Sequence, residues 1–127
     1  MTQLVTVEGN NLIDGMLGTA AFTATTGPLK VRLMTANGTA TTAGTQLTGG
    51  SYPAGGVAVT FSAAASQSAT NSADVVFSGN PAATVVGIEL WDATPTRKAF
   101  GPLTASKTLL GGDTLTFSAG TLIVSWA

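Results

Sequence analysis

Thr84-Val-Val-Gly-Ile-Glu-Leu-Trp-Asp92, Lys98-Ala-Phe-Gly-Pro-Leu-Thr104, Leu115-Thr-Phe117 and Leu122-Ile-Val-Ser-Trp126 are four apolar runs separated by turn signals. In the first run Val86, Ile88 and Leu90 fall on one face while Glu89 and Trp91 fall on the other, which is the alternation of a half-buried strand. A turn is expected at Asp92-Ala-Thr-Pro95. The second run carries Phe100 and Leu103, and Gly101-Pro102 marks a bulge or an edge break, because proline cannot donate to a ladder. Gly111-Gly112-Asp113 reads as the next turn, and Ser118-Ala119-Gly120 as the loop of a short hairpin ending in Leu122, Val124 and Trp126. The segment from Thr84 onward is therefore expected to be a block of antiparallel sheet.

Upstream, Leu29, Val31 and Leu33 alternate with Lys30, Arg32 and Met34, predicting a strand with one wet face. Val57, Val59 and Phe61 form another strand, and Val75-Val76-Phe77 a short one. Leu4, Val5 and Val7 make an opening strand or an arm. The total of about eight strands predicts an all-β fold, an antiparallel β-sandwich or small barrel. One short N-terminal helix is added from Asn11 to about Leu17, with Gly9-Asn10-Asn11 as its cap and Asp14 in its first turn. Its face carries Leu12, Ile13, Met16 and Leu17, and Gly18 is its stop. Ala36-Asn37-Gly38-Thr39 is a turn, Thr39 to Gly56 a long Thr/Gly-rich loop around Tyr52-Pro53, and Ala63 to Asn71 a small-residue connector. The expected organisation is a single domain, 1–127, with 1–8 a candidate N-terminal arm.

Composition limits the chemistry. Charged residues make up 9% of the chain, against about 25% in ordinary soluble domains, so the solvated faces must be built from Thr, Ser, Asn, Gly and Ala. A net charge of -1 supplies no field for nucleic acid or anionic lipid. There is neither cysteine nor histidine, which removes disulfides, thiolate metal sites and histidine-based nucleophilic catalysis. Glu89 and Asp92 form the closest carboxylate pair, but their odd spacing points them to opposite faces of an unbroken strand. A solvated strand end and a turn-forming Asp are the expected roles. No catalytic, cofactor or metal site is expected, and the chain is not expected to be an enzyme.

No apolar run approaches the ~20 residues needed to cross a bilayer, so no membrane partner is expected. The opening Met1 to Glu8 lacks the positive start and sustained apolar run of a secretory signal. A charge-poor, Thr/Ser/Gly-rich β chain without an export signal fits a virion protein, which is made and assembled in the host cytoplasm and leaves by lysis.

Four segments carry a resemblance to a family: Leu29-Lys-Val-Arg-Leu-Met-Thr35 after the short helix, Thr48-Gly-Gly-Ser-Tyr52, Asn71-Ser-Ala-Asp-Val-Val-Phe77, and the C-terminal run with Gly87-Ile-Glu-Leu-Trp-Asp92, Gly101-Pro-Leu-Thr104, Lys107, Gly112-Asp-Thr-Leu-Thr-Phe117 and Ala119-Gly120. With these, the chain resembles the small β-rich virion proteins of tailed bacteriophages and prophages, described as head decoration, minor tail or tail fibre proteins. It departs from their pattern in two places. Tyr52 leads into Pro53-Ala-Gly-Gly56 where an Arg usually follows closely, and Val85-Val86-Gly87 replaces a tryptophan-glycine. The resemblance implies a non-enzymatic structural protein. The expected role is capsid decoration of the major capsid protein lattice, with self-association as a homotrimer by analogy. A minor tail or tail fibre/receptor-binding protein is one alternative. A glycan-binding module using Trp91, Trp126 or Tyr52 as a stacking platform is another. Residues expected to meet a partner are Leu4, Val5, Val7, Leu12, Met16, Tyr52, Arg97 and Lys98, since binding concentrates on arms and loops held by a scaffold. Deleting Met1 to Val7 is accordingly expected to leave a folded domain.

Overall fold

Alternating apolar residues build the two layers seen in the computed structural model, which describes residues 3–125. The described elements are β1 (Gln3–Leu4), α1 (Thr6–Leu17), β2 (Leu29–Ala36), β3 (Thr45–Gln46), β4 (Val57–Val59), β5 (Ser68–Thr70), β6 (Val75–Phe77), β7 (Ala83–Trp91), β8 (Arg97–Leu109), β9 (Leu115–Phe117) and β10 (Ile123–Ser125). One layer is a six-stranded sheet in the order β1-β8-β7-β2-β3, with β4 also paired to β2. The other consists of two ribbons, β5 with β10 and β6 with β9. Every pairing is antiparallel. The architecture is the expected antiparallel sandwich, and the sheets do not close into a barrel. None of the described helices is long and apolar enough to cross a membrane.

The core lies between the layers. Val31 faces Leu90, Leu33 faces Ile88 and Leu90 faces Ala99 across the large sheet, and Val75, Phe77, Leu115 and Leu122 close over them from the ribbons. Phe77 is fully buried, stacked on Tyr52 at 5.8 Å and edge-on to Phe117 at 6.2 Å.

Several expectations are corrected by tertiary context. The residue of β7 that joins Ile88 and Leu90 in the core is Val85, because a register shift between Val85 and Gly87 breaks the alternation. Its counterpart on β8 lies just beyond Pro102: Gly87 pairs with Pro102, yet Val85 pairs with Lys107. Gly101-Pro102 thus does mark an irregularity, on a stretch of β8 beyond its short pairing with β1. The turns at Gly111-Gly112-Asp113 and Ser118-Ala119-Gly120 form but do not close hairpins, since β9 pairs with β6 and β10 with β5. Two buried asparagines hold these crossings. The Asn71 side-chain amide donates to the carbonyls of Ala73 and Ser118 and its Oδ1 accepts from the Leu122 N–H. Asn80 donates to the carbonyls of Phe77 and Asp113.

The connector Ala63 to Asn71 contains β5, and the loop Thr39 to Gly56 contains β3 and the buried Leu47 and Tyr52. The helix begins at Thr6 rather than Asn11. Its N-cap, Val5, offers no side-chain bond, and the Thr6 N–H donates instead to the Ala40 carbonyl at 3.0 Å. Asp14 consequently falls in the last turn, where its carboxylate accepts from the Thr19 hydroxyl at 2.9 Å. Gly18 ends the helix as expected, in the left-handed conformation. The segment 1–8 is not a free arm in its described part: Gln3 and Leu4 pair with Phe100 and Ala99, and Val5 and Glu8 are buried. Trp126, expected in the last strand, lies outside the described residues.

Candidate functional site

The outer face of the large sheet, expected to be wet, is covered around Glu89 and gathers a cluster of charge. Glu89, Phe100 and Arg32 sit in register across β7, β8 and β2. Residues 37–44 cross above them. Asn37 Oδ1 occupies the space a side chain at Gly87 would take, and the Gly44 N–H donates to Glu89 Oε1 at 2.7 Å. Glu89, expected at a solvated strand end, is therefore 0% exposed. Arg97 Nη1 lies 3.7 Å from Glu89 Oε1, and Arg97 Nη2 donates to the Thr39 carbonyl. Glu89 Oε2 and Arg97 Nη1 have no hydrogen-bond partner among the described residues, so this pair is held mainly by charge. Arg32 stacks over the Trp91 ring, 4.2 Å from its centroid.

A second cluster fixes the helix. Lys98 Nζ reaches Glu8 Oε2 at 3.0 Å and Asp92 Oδ2 at 3.7 Å, and the Val5 N–H donates to the Lys98 carbonyl. Asp92 forms the expected turn, its Oδ1 accepting from the Thr94 hydroxyl and from the N–H groups of Thr94 and Thr96. Burial alone would raise the Asp92 pKa. The hydrogen bonds from Thr94 and Thr96, with the Lys98 charge, outweigh burial and hold it below its ordinary 3.8.

Leu4, Val5, Arg97 and Lys98 are thus brought together, but as the seam that docks β1 and α1 on β8. Tyr52 is neither a platform nor a contact residue. It is buried, and its hydroxyl accepts from the Leu33 N–H and from Gln46 Nε2, both at 3.0 Å. Trp91 is covered by Arg32. Of the residues expected to meet a partner, Val7 and Met16 stand in solvent, and Leu12 is half-buried. Ile13, Leu17 and Phe22 join them as exposed apolar side chains. Phe22 is there because the chain folds back along the helix. The Asn11 side chain bonds the backbone of Thr23 in both directions, and Phe22 lies against Gly15. A cleft of about 460 Å³ opens beside this segment, lined by Val7, Asn11, Asp14, Thr23 and Lys98 among others.

The sequence model of the family described as Podophage GP4 fiber I protein gp80 matches residues 3–125. The chain belongs to this family. The match spans the same residues as the described fold. Membership places the chain among phage fibre/virion structural proteins. Comparison with individually curated proteins finds no match. Sequence reasoning passed over Glu8 and the exposed Phe22, and gave Glu89 a solvated role instead of its buried ion pair. The five basic and six acidic residues are so few that their clustering was itself the available signal, but it needs the strand register to appear.

Proposed function

We propose that the chain is a non-enzymatic structural component of a phage tail fibre, assembled in the bacterial host cytoplasm and held in the virion by protein contacts. The observation that carries this reading is the family match along residues 3–125, to a family whose description is that of a podophage fiber protein. Tail proteins and sister copies then replace the capsid lattice as partners. The covered charges support protein partners over nucleic acid or lipid. Lys98 and Arg97 are spent on Glu8, Asp92 and Glu89 within the fold, leaving little positive field to attract a polyanion. Val7, Ile13, Met16 and Leu17 leave large apolar side chains exposed on α1, as expected of a surface that meets protein.

Imaging of intact virions carrying a tagged copy of the chain tests this. Label confined to fibres at the tail is the expected result. Label spread over the head would refute the fibre reading and restore capsid decoration.

A further inference from the structure

Arg32 faces a carboxylate and does not use it. Glu89 stands directly opposite in the β2–β7 register, yet its Oε1 is taken by the Gly44 N–H and by Arg97 under the crossing residues 37–44. Arg32 turns the other way. It lays its guanidinium over the Trp91 ring and donates from Nε to the Gly55 carbonyl at 3.4 Å. Lys30, two residues earlier on the same face of β2, reaches the same turn: its Nζ lies 3.6 Å from where a Cβ of Gly55 would stand. Two strand residues span about 6.5 Å, so two positive charges are held side by side. Among the described residues neither has a carboxylate partner, since every ion pair there belongs to Arg97 or Lys98. The frame around them is fixed. Trp91 pairs with Lys30 across β7 and β2, and the Gly56 N–H closes the turn on the Pro53 carbonyl at 2.8 Å. Gly56 itself, at positive φ, lies so close to the Val31 carbonyl that no side chain fits.

We propose that Lys30 and Arg32, with Trp91 backing the guanidinium, form a binding site for a phosphoryl group, either free phosphate or a phosphate monoester. Packing accounts for Arg32 on Trp91 but not for a second cation brought beside it. Like charges at this spacing repel, and an anion between them turns the repulsion into two attractions. With Nε held by Gly55, the guanidinium offers its Nη1/Nη2 fork, which fits two oxygens of an oxyanion, and Lys30 adds a point charge for a third. The charge count selects phosphate. Two cations match a phosphate monoester of about −1.5 to −2 at neutral pH, whereas a single carboxylate leaves one cation unmatched. The approach is open, because the residue paired with Lys30 on β4 is the small, exposed Ala58. Two adjacent charges make a point site, not a field, so a chain of net charge -1 still has no attraction for a polyanion. The site goes beyond the fibre reading and does not depend on it.

NMR shifts of the intact chain, followed as orthophosphate is added at neutral pH and constant ionic strength, test the site. Saturating shifts at Lys30, Arg32, Gly55 and the Trp91 indole are expected in the millimolar range, with acetate at least tenfold weaker. Lys30→Gln and Arg32→Gln should each weaken binding at least tenfold, and Arg32→Lys should restore only part of it because the fork is lost. Lys107→Gln, which removes an exposed cation on β8, should leave binding unchanged. Lys30→Gln removes a side chain that makes no ion pair within the fold, and its unfolding midpoint is expected to match the parent. Glucose 6-phosphate separates the sources: equal affinity assigns a displayed phosphate monoester, and affinity at least tenfold below orthophosphate assigns the free ion. Absence of a saturable shift, acetate binding as tightly as phosphate, or binding indifferent to Lys30→Gln would overturn the proposal.

Discussion

Tyr52→Phe removes a single oxygen from the centre of the fold. That oxygen accepts hydrogen bonds from the Leu33 N–H and Gln46 Nε2, both at 3.0 Å. Gln46 has a second acceptor, the Ala54 carbonyl at 2.6 Å, so it can give up the tyrosine without loss of partner. Leu33 cannot. It is fully buried, and the Tyr52 hydroxyl is the side-chain acceptor its N–H meets. Leaving one buried donor unmatched costs about 1–3 kcal/mol, while the ring keeps its stacking on Phe77. For a domain of this size each kcal/mol lowers Tm by about 3–5 °C. Urea titration should therefore show a lower midpoint with an unchanged m-value, and the Leu33 amide should exchange faster. Tyr52→Ala, which also empties the ring's place, should cost about 3–5 kcal/mol. A Tyr52→Phe midpoint within about 0.5 kcal/mol of the parent, with unaltered Leu33 exchange, would refute the claim that Tyr52 is a core latch.

Asn71→Ala strips partners from the Ala73 and Ser118 carbonyls and the Leu122 N–H, and is expected to cost about 2–5 kcal/mol by thermal unfolding. Asn71→Asp keeps the acceptor but turns a carboxylate on two carbonyls, and should be no better. The depressed folded-state pKa of Asp92 makes its contribution complete above the unfolded value of about 3.9, and lost as pH falls through the folded value. Stability measured from pH 6 to pH 2 should thus fall less steeply in Asp92→Asn than in the parent. Deleting residues 1–7 takes Val5 out of the core and β1 off β8. It should lower stability by about 2 kcal/mol or more, where the sequence suggested a dispensable arm, and an unchanged melting curve would reverse this view.

What could be read in the chain were features set by near neighbours. Leu29, Val31 and Leu33 announce β2, Gly18 ends the helix, and Asp92 folds its own turn, all within a few residues of sequence. What could not be read depends on partners far along the chain. The start of α1 is set by the Ala40 carbonyl, not by a capping side chain. Strand β5 follows a tight turn at Ser66 and Gln67, both at positive φ, where the usual signal would be Asn or Gly. The wet face assigned to Glu89 is dry because residues 37–44 lie over it, and no periodicity within β7 could show that. Val86 and Val85 exchange roles through a bulge whose cause lies beyond Pro102 on β8. The site fared similarly: Val7 and Met16 are exposed as a contact surface requires, while Tyr52, Arg97 and Lys98 were given outward roles that packing turned inward.

The crossing of the last two strands has a consequence for how the protein comes into being. Among the described residues strand β6 finds its ladder partner in β9, after the whole of β7 and β8 has been made, and β5, though it can fold back on residues 62–65, gains its strand partner only with β10 at Ile123–Ser125. A nascent chain can pair β2 with β7 and β7 with β8 as they emerge, but the second layer cannot close until β9 and β10 have been made. Such distant pairing is slow, because the loop must be closed before the contact rewards it. An unfinished chain exposes the apolar inner face of its large sheet and two unpaired edges. Only a chain translated through β10 can hide them, so the surface offered to a partner is finished only when the second layer is.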